Sequence, residues 1–256
     1  MGWDHFNIPN GKSYLFCNAH ITSRAAMNII VTHTPIISTI EMQQAYQPLE
    51  KYNVNVFAFD FSGTGKSGGS EFAFSRTSIV NDLDTIADYV ECNYSSNIHL
   101  YGNTGIGGMF AQYYATKSDR VKSFAQFACV HHKNTAGMGY PYPLAKILCC
   151  FLKMLPKMKM TMKPPKYRGY NEEKDNAFYE RLEKTHPHIW RTNSKVVQTL
   201  LECFVAKDSE AKKSIRIPTL VFKTLHDRYF SPQYFDDYFK SLTCEKKLIE
   251  IDDVHN

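Results

Sequence analysis

The 256-residue sequence predicts an α/β fold: a mostly parallel central sheet with helices on both faces, interrupted by an inserted helical cap. Three observations predict it. Short β-like apolar runs alternate with segments of helical period. The central runs are apolar on both faces, as strands buried in parallel sheets are. The alternation is suspended between about residues 132 and 213. Alternating strands and helices imply right-handed crossovers and a sheet covered on both sides. The expected organisation is a core of residues 1–131 and 214–256 with a cap of residues 132–213.

Each element has its own signal. The runs His5–Pro9 and Lys12–Ile21 are expected to form an antiparallel edge, and Met27–His33 a buried strand. Ser38–Tyr52 opens with the Ser38-to-Glu41 spacing of a capping box and is expected to be a helix. Val54–Phe61 is the next strand. Ser75–Tyr94 sets Ile79, Leu83, Ile86 and Val90 at helical intervals. Strand Asn97–Gly102, helix Gly107–Ala115 and strand Val121–Val130 follow. Beyond the cap, strands Pro218–Thr224 and Lys246–Asp252 bracket a helix over Pro232–Leu242.

Composition excludes several classes. Apolar residues at 43% and charged residues at 21% suit a globular chain. The start, Met1–His5, shows no basic n-region leading into an apolar stretch, so no secretory signal is expected, and no apolar run approaches the roughly 20 residues that cross a bilayer. Seven scattered cysteines form neither a disulfide framework nor a Cys-x-x-Cys element, which fits a reducing cytoplasm. The histidines, including His131-His132 and His186-Pro187-His188, lack metal-ligand spacing, so neither metal nor cofactor is expected. The net charge of +5 is local: Arg120–Asn171 holds ten basic residues and no acidic one. No nucleic-acid motif accompanies that block.

The stretch Asp60-Phe61-Ser62-Gly63-Thr64-Gly65-Lys66-Ser67 ends like a phosphate-cradling loop. The leading position that such a loop needs as glycine is Asp60, whose carboxylate would repel phosphate, so a nucleotide site is excluded.

Four segments in order resemble the α/β-hydrolase fold. Tyr52–Gly69 resembles the family's Asp-bearing strand with a Gly-x-Gly-x-Ser run, and Leu100–Ala115 its nucleophile elbow and helix. Thr224–Pro232 resembles the acid loop, and Ile251–Asn256 the final histidine loop. The resemblance implies chemistry on an acyl ester, thioester or amide of a small molecule, with Asp227 orienting His255 as base. The family elbow is Gly-x-Ser-x-Gly. Counting back from Gly107-Gly108 puts Gly105 in the nucleophile seat, whereas counting forward from Gly102 puts Thr104 there. Glycine accepts the strained elbow conformation and has no attacking atom; threonine has a hydroxyl and resists the conformation. On the oxyanion side the chain reads His33-Thr34-Pro35-Ile36. Proline has no N–H, which leaves Thr34, Ile36 and the Ile106 N–H as the expected donors. A noncatalytic ligand-binding or protein-interaction module is the alternative function.

Within the cap, Leu144, Ile147, Leu148, Phe151, Leu152 and Leu155 fall on one helical face, expected to pack against the cap's own neighbours. The Met/Lys alternation of Lys157–Tyr170 is expected to form an extended lid edge offering adaptable side chains beside cations. Cys129 is a further conceivable nucleophile, and Cys149-Cys150 is expected within the cap helix.

Overall fold

A computed structural model describes residues 2–24, 26–71, 74–103, 105–127, 141–163, 166–187, 189–207 and 214–254. Its centre is an eight-stranded sheet in the order β1-β2-β4-β3-β5-β6-β9-β10. The strands are β1 Asp4–Asn10, β2 Ser13–His20, β3 Met27–Thr32, β4 Val54–Phe59, β5 Ile98–Gly102, β6 Phe124–Gln126, β9 Thr219–His226 and β10 Lys246–Val254. The β1–β2 hairpin is antiparallel, as is β2 to β4, and all the remaining pairings are parallel. The expected antiparallel edge and parallel centre are both present.

Helices α1 Arg76–Asn93, α2 Gly105–Ala115 and α6 Pro232–Ser241 belong to the core. Ser75 caps α1 reciprocally with Ser78, satisfying two otherwise orphaned groups. Between β6 and β9 the chain adds α3 Tyr142–Met154, β7 Lys159–Thr161, α4 Glu172–Thr185, β8 Arg191–Asn193 and α5 Ser194–Val205. Strands β7 and β8 pair with each other in a separate two-stranded sheet.

Alternation along the central strands divides the core between two faces. Ile30, Phe57 and Phe59 join the large cluster beneath α1 and α2, while their neighbours Val31, Val56 and Ala58 join a second cluster with Ile37, Tyr46 and Trp190. Both faces are dry, which explains why these strands read as continuous apolar runs.

Three expectations change. Ser38–Tyr52 is not one helix but two 3₁₀ segments, Gln43–Ala45 and Gln47–Lys51. The Glu41 carboxylate does accept the Ser38 N–H at 2.9 Å, yet Pro48 has no N–H to continue a helical ladder. The Thr39 N–H is meanwhile taken by Asp60 at 2.6 Å. The apolar stripe of α3 is not buried as a unit: Ala145, Cys149 and Leu152 pack inward, while Leu144, Ile147, Phe151 and Leu155 stay exposed. The stripe is too wide for one neighbouring surface. In the Met/Lys segment, β7 turns Met158, Met160 and Met162 onto the large core cluster and leaves Lys157, Lys159 and Lys163 outside. The alternation is thus a strand pleat, and those methionines are packing groups.

The loops at the sheet's carboxyl edge are organised by Asp60, fully buried at the end of β4. Its Oδ1 accepts the Thr39 N–H at 2.6 Å and its Oδ2 the Lys66 N–H at 2.7 Å. His33 Nε2 lies 3.2 Å from Oδ1. Gly65 brings the chain back over the carboxylate with φ of 51°, and a Cβ there would sit 2.2 Å from Asp60 Oδ2. Gly65→Ala therefore combines left-handed strain with a clash against a buried anion. Its unfolding free energy is expected to fall by about 2 kcal/mol or more, read from urea denaturation as a lower midpoint at unchanged slope.

Candidate active site

Strands β3, β5, β9 and β10 run parallel, so their carboxyl ends share one edge. The chain passes from β3 to β4 on one side and returns to β5 on the other, making β3/β5 the switch point where open α/β sheets leave a crevice. A cavity of about 600 Å³ lies here. Its core side includes Tyr101, Asn103, Gly105, Asp227 and Val254, and α4 of the cap contributes Phe178, Arg181 and Leu182.

The elbow follows β5. Gly102 ends the strand and Gly105 begins α2. Two glycines permit the close approach of helix and sheet. A Cβ on Gly102 would meet the Gly108 Cα at 2.6 Å, and one on Gly107 would meet the His33 Cα at 2.7 Å. Thr32 Oγ1 adds a hydrogen bond to the Gly107 carbonyl at 2.7 Å. These two constrained glycines stand five residues apart, where Gly-x-Ser-x-Gly has them four apart. The spacing is one residue longer than in that pattern.

Asp227 caps its own loop after β9. Its Oδ1 accepts the N–H groups of Tyr229 at 2.7 Å and Phe230 at 3.0 Å, and its Oδ2 accepts the Thr224 hydroxyl at 2.8 Å. The carboxylate is held in one orientation at the cavity wall. Thr104 and His255 lie outside the described residues, as does Cys129. His255 is bonded to Val254, the last residue of β10 and itself part of the cavity wall.

Thr34 and Ile36 are half-buried on the loop after β3, and Ile106 is the second residue of α2. The Thr34 carbonyl faces His33 Nδ1 at 2.8 Å. Contact between Gly107 and His33 brings this loop against the start of α2, although none of these three residues is among those lining the cavity.

The structure also brings in residues that the sequence did not flag. Arg228, next to Asp227, enters the cap: its Nε is 2.8 Å from the Asp175 carboxylate of α4, with both side chains buried. Its guanidinium lies 4.4 Å from the Tyr179 ring centroid and its Nη2 donates to Asn176 Oδ1 at 3.1 Å. A second tie joins Lys174 of α4 to Asp253 near the end of β10. At the rim, His186 Nδ1 meets Glu41 Oε1 at 2.9 Å. On the floor, Tyr101 donates to Asn103 Oδ1 at 3.3 Å, and burial pushes the Tyr101 phenol up. No sequence signal links Arg228 to Asp175, because the pairing crosses between core and cap. Among the described residues no cluster of His, Cys, Asp or Glu is arranged to hold a metal ion, and no helix is long and apolar enough to cross a membrane.

The family model described as "Serine aminopeptidase, S33" matches residues 24–254. The chain belongs to this family. No curated protein matches the sequence. Solved structures share the α/β-hydrolase fold. A monoacylglycerol lipase from Paleococcus ferrophilus superposes with a TM-score of 0.74 at 17% identity, covering 94% of this chain and 90% of its own. DcsB in complex with its substrate analogue gives 0.75 at 13% identity, covering 99% and 92%. An esterase from Exiguobacterium antarcticum gives 0.66 at 13%, covering 100% and 93%. The S33 family is named for a serine, yet this member has none between Asn97 and Lys117.

Two outcomes test the cap ties. Asp175→Ala leaves the Arg228 charge buried and is expected to cost about 3–5 kcal/mol in urea unfolding. The hydrogen bond from Lys174 lowers the Asp253 pKa beneath its ordinary 3.8. The stabilisation it brings is therefore complete above that value and lost as the pH falls through the folded pKa. Lys174→Ala should lower stability by under about 1 kcal/mol at neutral pH, since both groups are partly solvated. The gap from wild type should close in acid-unfolding curves below the folded pKa.

Proposed function

We propose that this S33-family member hydrolyses an acyl ester, thioester or amide of a small molecule in the cavity between sheet and α4. The observation that carries this reading is convergence: Gly105, Asp227 and Val254, the neighbour of His255, line one cavity. Its volume of about 600 Å³ falls in the range of small-molecule sites.

In this reading Asp227 orients the His255 imidazole, which takes a proton from the Thr104 hydroxyl or from a water held above Gly105. The freed oxygen attacks the acyl carbon, and the carbonyl oxygen becomes the anion of a tetrahedral intermediate. The Ile106 N–H, together with Thr34 or the Ile36 N–H, faces that charge in place of the donor that Pro35 lacks. The protonated His255 then returns its proton to the leaving oxygen, sulfur or nitrogen as the acyl bond breaks. A Thr104 acyl intermediate would be released by a water deprotonated at the same imidazole.

The second reading is a noncatalytic ligand-binding or protein-interaction module on the same scaffold. Pro35 and the extra elbow residue favour it, because each alters a catalytic station. One set of measurements separates the two. Across a panel of acyl esters and thioesters, the folded chain is expected to turn over at least one substrate, and His255→Ala to reduce kcat/KM by about 100-fold or more. Thr104→Ala abolishes turnover if the hydroxyl attacks and spares it if water does. Gly105→Ser raises activity if residue 105 occupies the seat. Saturable ligand binding that His255→Ala leaves unchanged, without turnover of any substrate, would overturn hydrolysis in favour of the module.

A further inference from the structure

The cap helix α3 carries more apolar surface than the fold covers. Leu144, Ile147, Phe151, Met154 and Leu155 are between 39% and 71% exposed. On a helix turning about 100° per residue, these five side chains share one arc. Ala145, Cys149 and Leu152 form the buried arc beside it, and Lys146 and Lys153 lie on the far side. The exposed arc amounts to roughly 500 Å², the size at which apolar patches on monomers are often functional.

The segment that carries the arc holds charge of one sign only. Between Pro141 and Asn171 there is no acidic residue. Lys153, Lys163 and Lys166 are matched by Glu202, Glu183 and Glu180. Lys146, Lys157, Lys159 and Arg168 are exposed and have no ion-pair partner among the described residues. A second copy of the chain would bring these cations against their own kind. It would also bury roughly 500 Å² per copy, below the roughly 800 Å² per partner of a standard interface. An anionic lipid surface meets both requirements: acyl chains accept the apolar arc, and headgroup charge complements the lysines.

We propose that the exposed face of α3, with the exposed Lys157 and Lys159 that follow its carboxyl end, docks the cap onto an anionic lipid bilayer surface. The contact is peripheral, with α3 lying in the interface plane, and it is independent of the catalytic reading. None of its residues lines the cavity.

Co-sedimentation tests it, using the full chain with vesicles of phosphatidylcholine containing about one-third phosphatidylglycerol, and with pure phosphatidylcholine. The expected result is sedimentation with the anionic vesicles, weaker binding to neutral ones, and weakening by salt. The double variant Ile147→Ser/Phe151→Ser should partition at least about tenfold less, while its circular dichroism spectrum remains that of the folded chain because neither side chain belongs to the buried core. Lys157→Glu/Lys159→Glu should remove the preference for anionic vesicles while leaving the fold intact. The proposal is overturned if folded wild type stays in the supernatant with both vesicle types, or binds both equally. It is also overturned if the serine variant binds as wild type does. A wild-type dimer in sedimentation equilibrium that the serine variant loses, without vesicle binding, would assign the face to a second copy instead.

Discussion

A single buried carboxylate sets the geometry of the sheet's carboxyl edge. Asp60 is inaccessible to solvent, where an unpaired anion would be prohibitively costly. The surrounding loops answer that cost. Thr39 and Lys66 turn their N–H groups inward, and His33 approaches from β3. The His33 ring also faces the Thr34 carbonyl through Nδ1 and the Phe59 carbonyl through Nε2. The loop that supplies the oxyanion candidates and the loop of closely spaced glycines are thereby fixed to one centre. This also explains why the glycine loop looks like a phosphate cradle: it wraps an anion, but the anion belongs to the chain. Ser67 closes the wrap, accepting the Phe16 N–H at 2.8 Å and joining the loop to the antiparallel edge.

The same economy governs the junction of core and cap. Arg228 follows Asp227 in sequence, and Asp253 precedes His255 by two residues. Both partners, Asp175 and Lys174, are neighbours near the start of α4. The helix that roofs the cavity is consequently tied to the two strand ends that carry the proposed acid and base. The buried tie contributes more to this coupling than the exposed one. Removing either partner of Arg228–Asp175 strands a charge in a dry site, whereas Lys174 and Asp253 can exchange each other for water. Planarity adds to the difference: the guanidinium stacks near Tyr179 while meeting a carboxylate, a combination unavailable to lysine.

Much of the fold was legible because periodicity reports burial directly. The strand runs, α1, α2 and α6 all follow from apolar spacing, since both faces of the sheet are covered. The misreadings share one cause, which is that a pattern states what a segment can bury without stating what will cover it. Ser38–Tyr52 has a capping signal and apolar residues, but tertiary demands on Thr39 and Tyr46 compete with a helical ladder; the Tyr46 hydroxyl binds Thr39 and accepts from Asn18 at 3.0 Å. The α3 stripe was legible as a stripe, yet its neighbours cover only one flank. Asp227 lies on the cavity wall in the loop between β9 and α6, two elements that apolar spacing outlines, whereas Arg228 and its partner 53 residues away leave no local trace.

The elbow shows how packing can constrain chemistry at one remove. Gly102 and Gly107 are each held by contacts that exclude a Cβ, the first by α2 and the second by the loop after β3. Neither can move along the sequence without losing that contact, so the spacing between them is a structural fact independent of which residue reacts. With Thr104 in the seat, the strand-side glycine is in register and the helix-side glycine is one residue late. With Gly105 in the seat, the reverse holds. In both cases one of the two glycines stands one position out of register with Gly-x-Ser-x-Gly. The close approach of Gly107 to His33 holds the start of α2 against the loop after β3, and His33 and Thr39 join that loop to Asp60 within one packed unit.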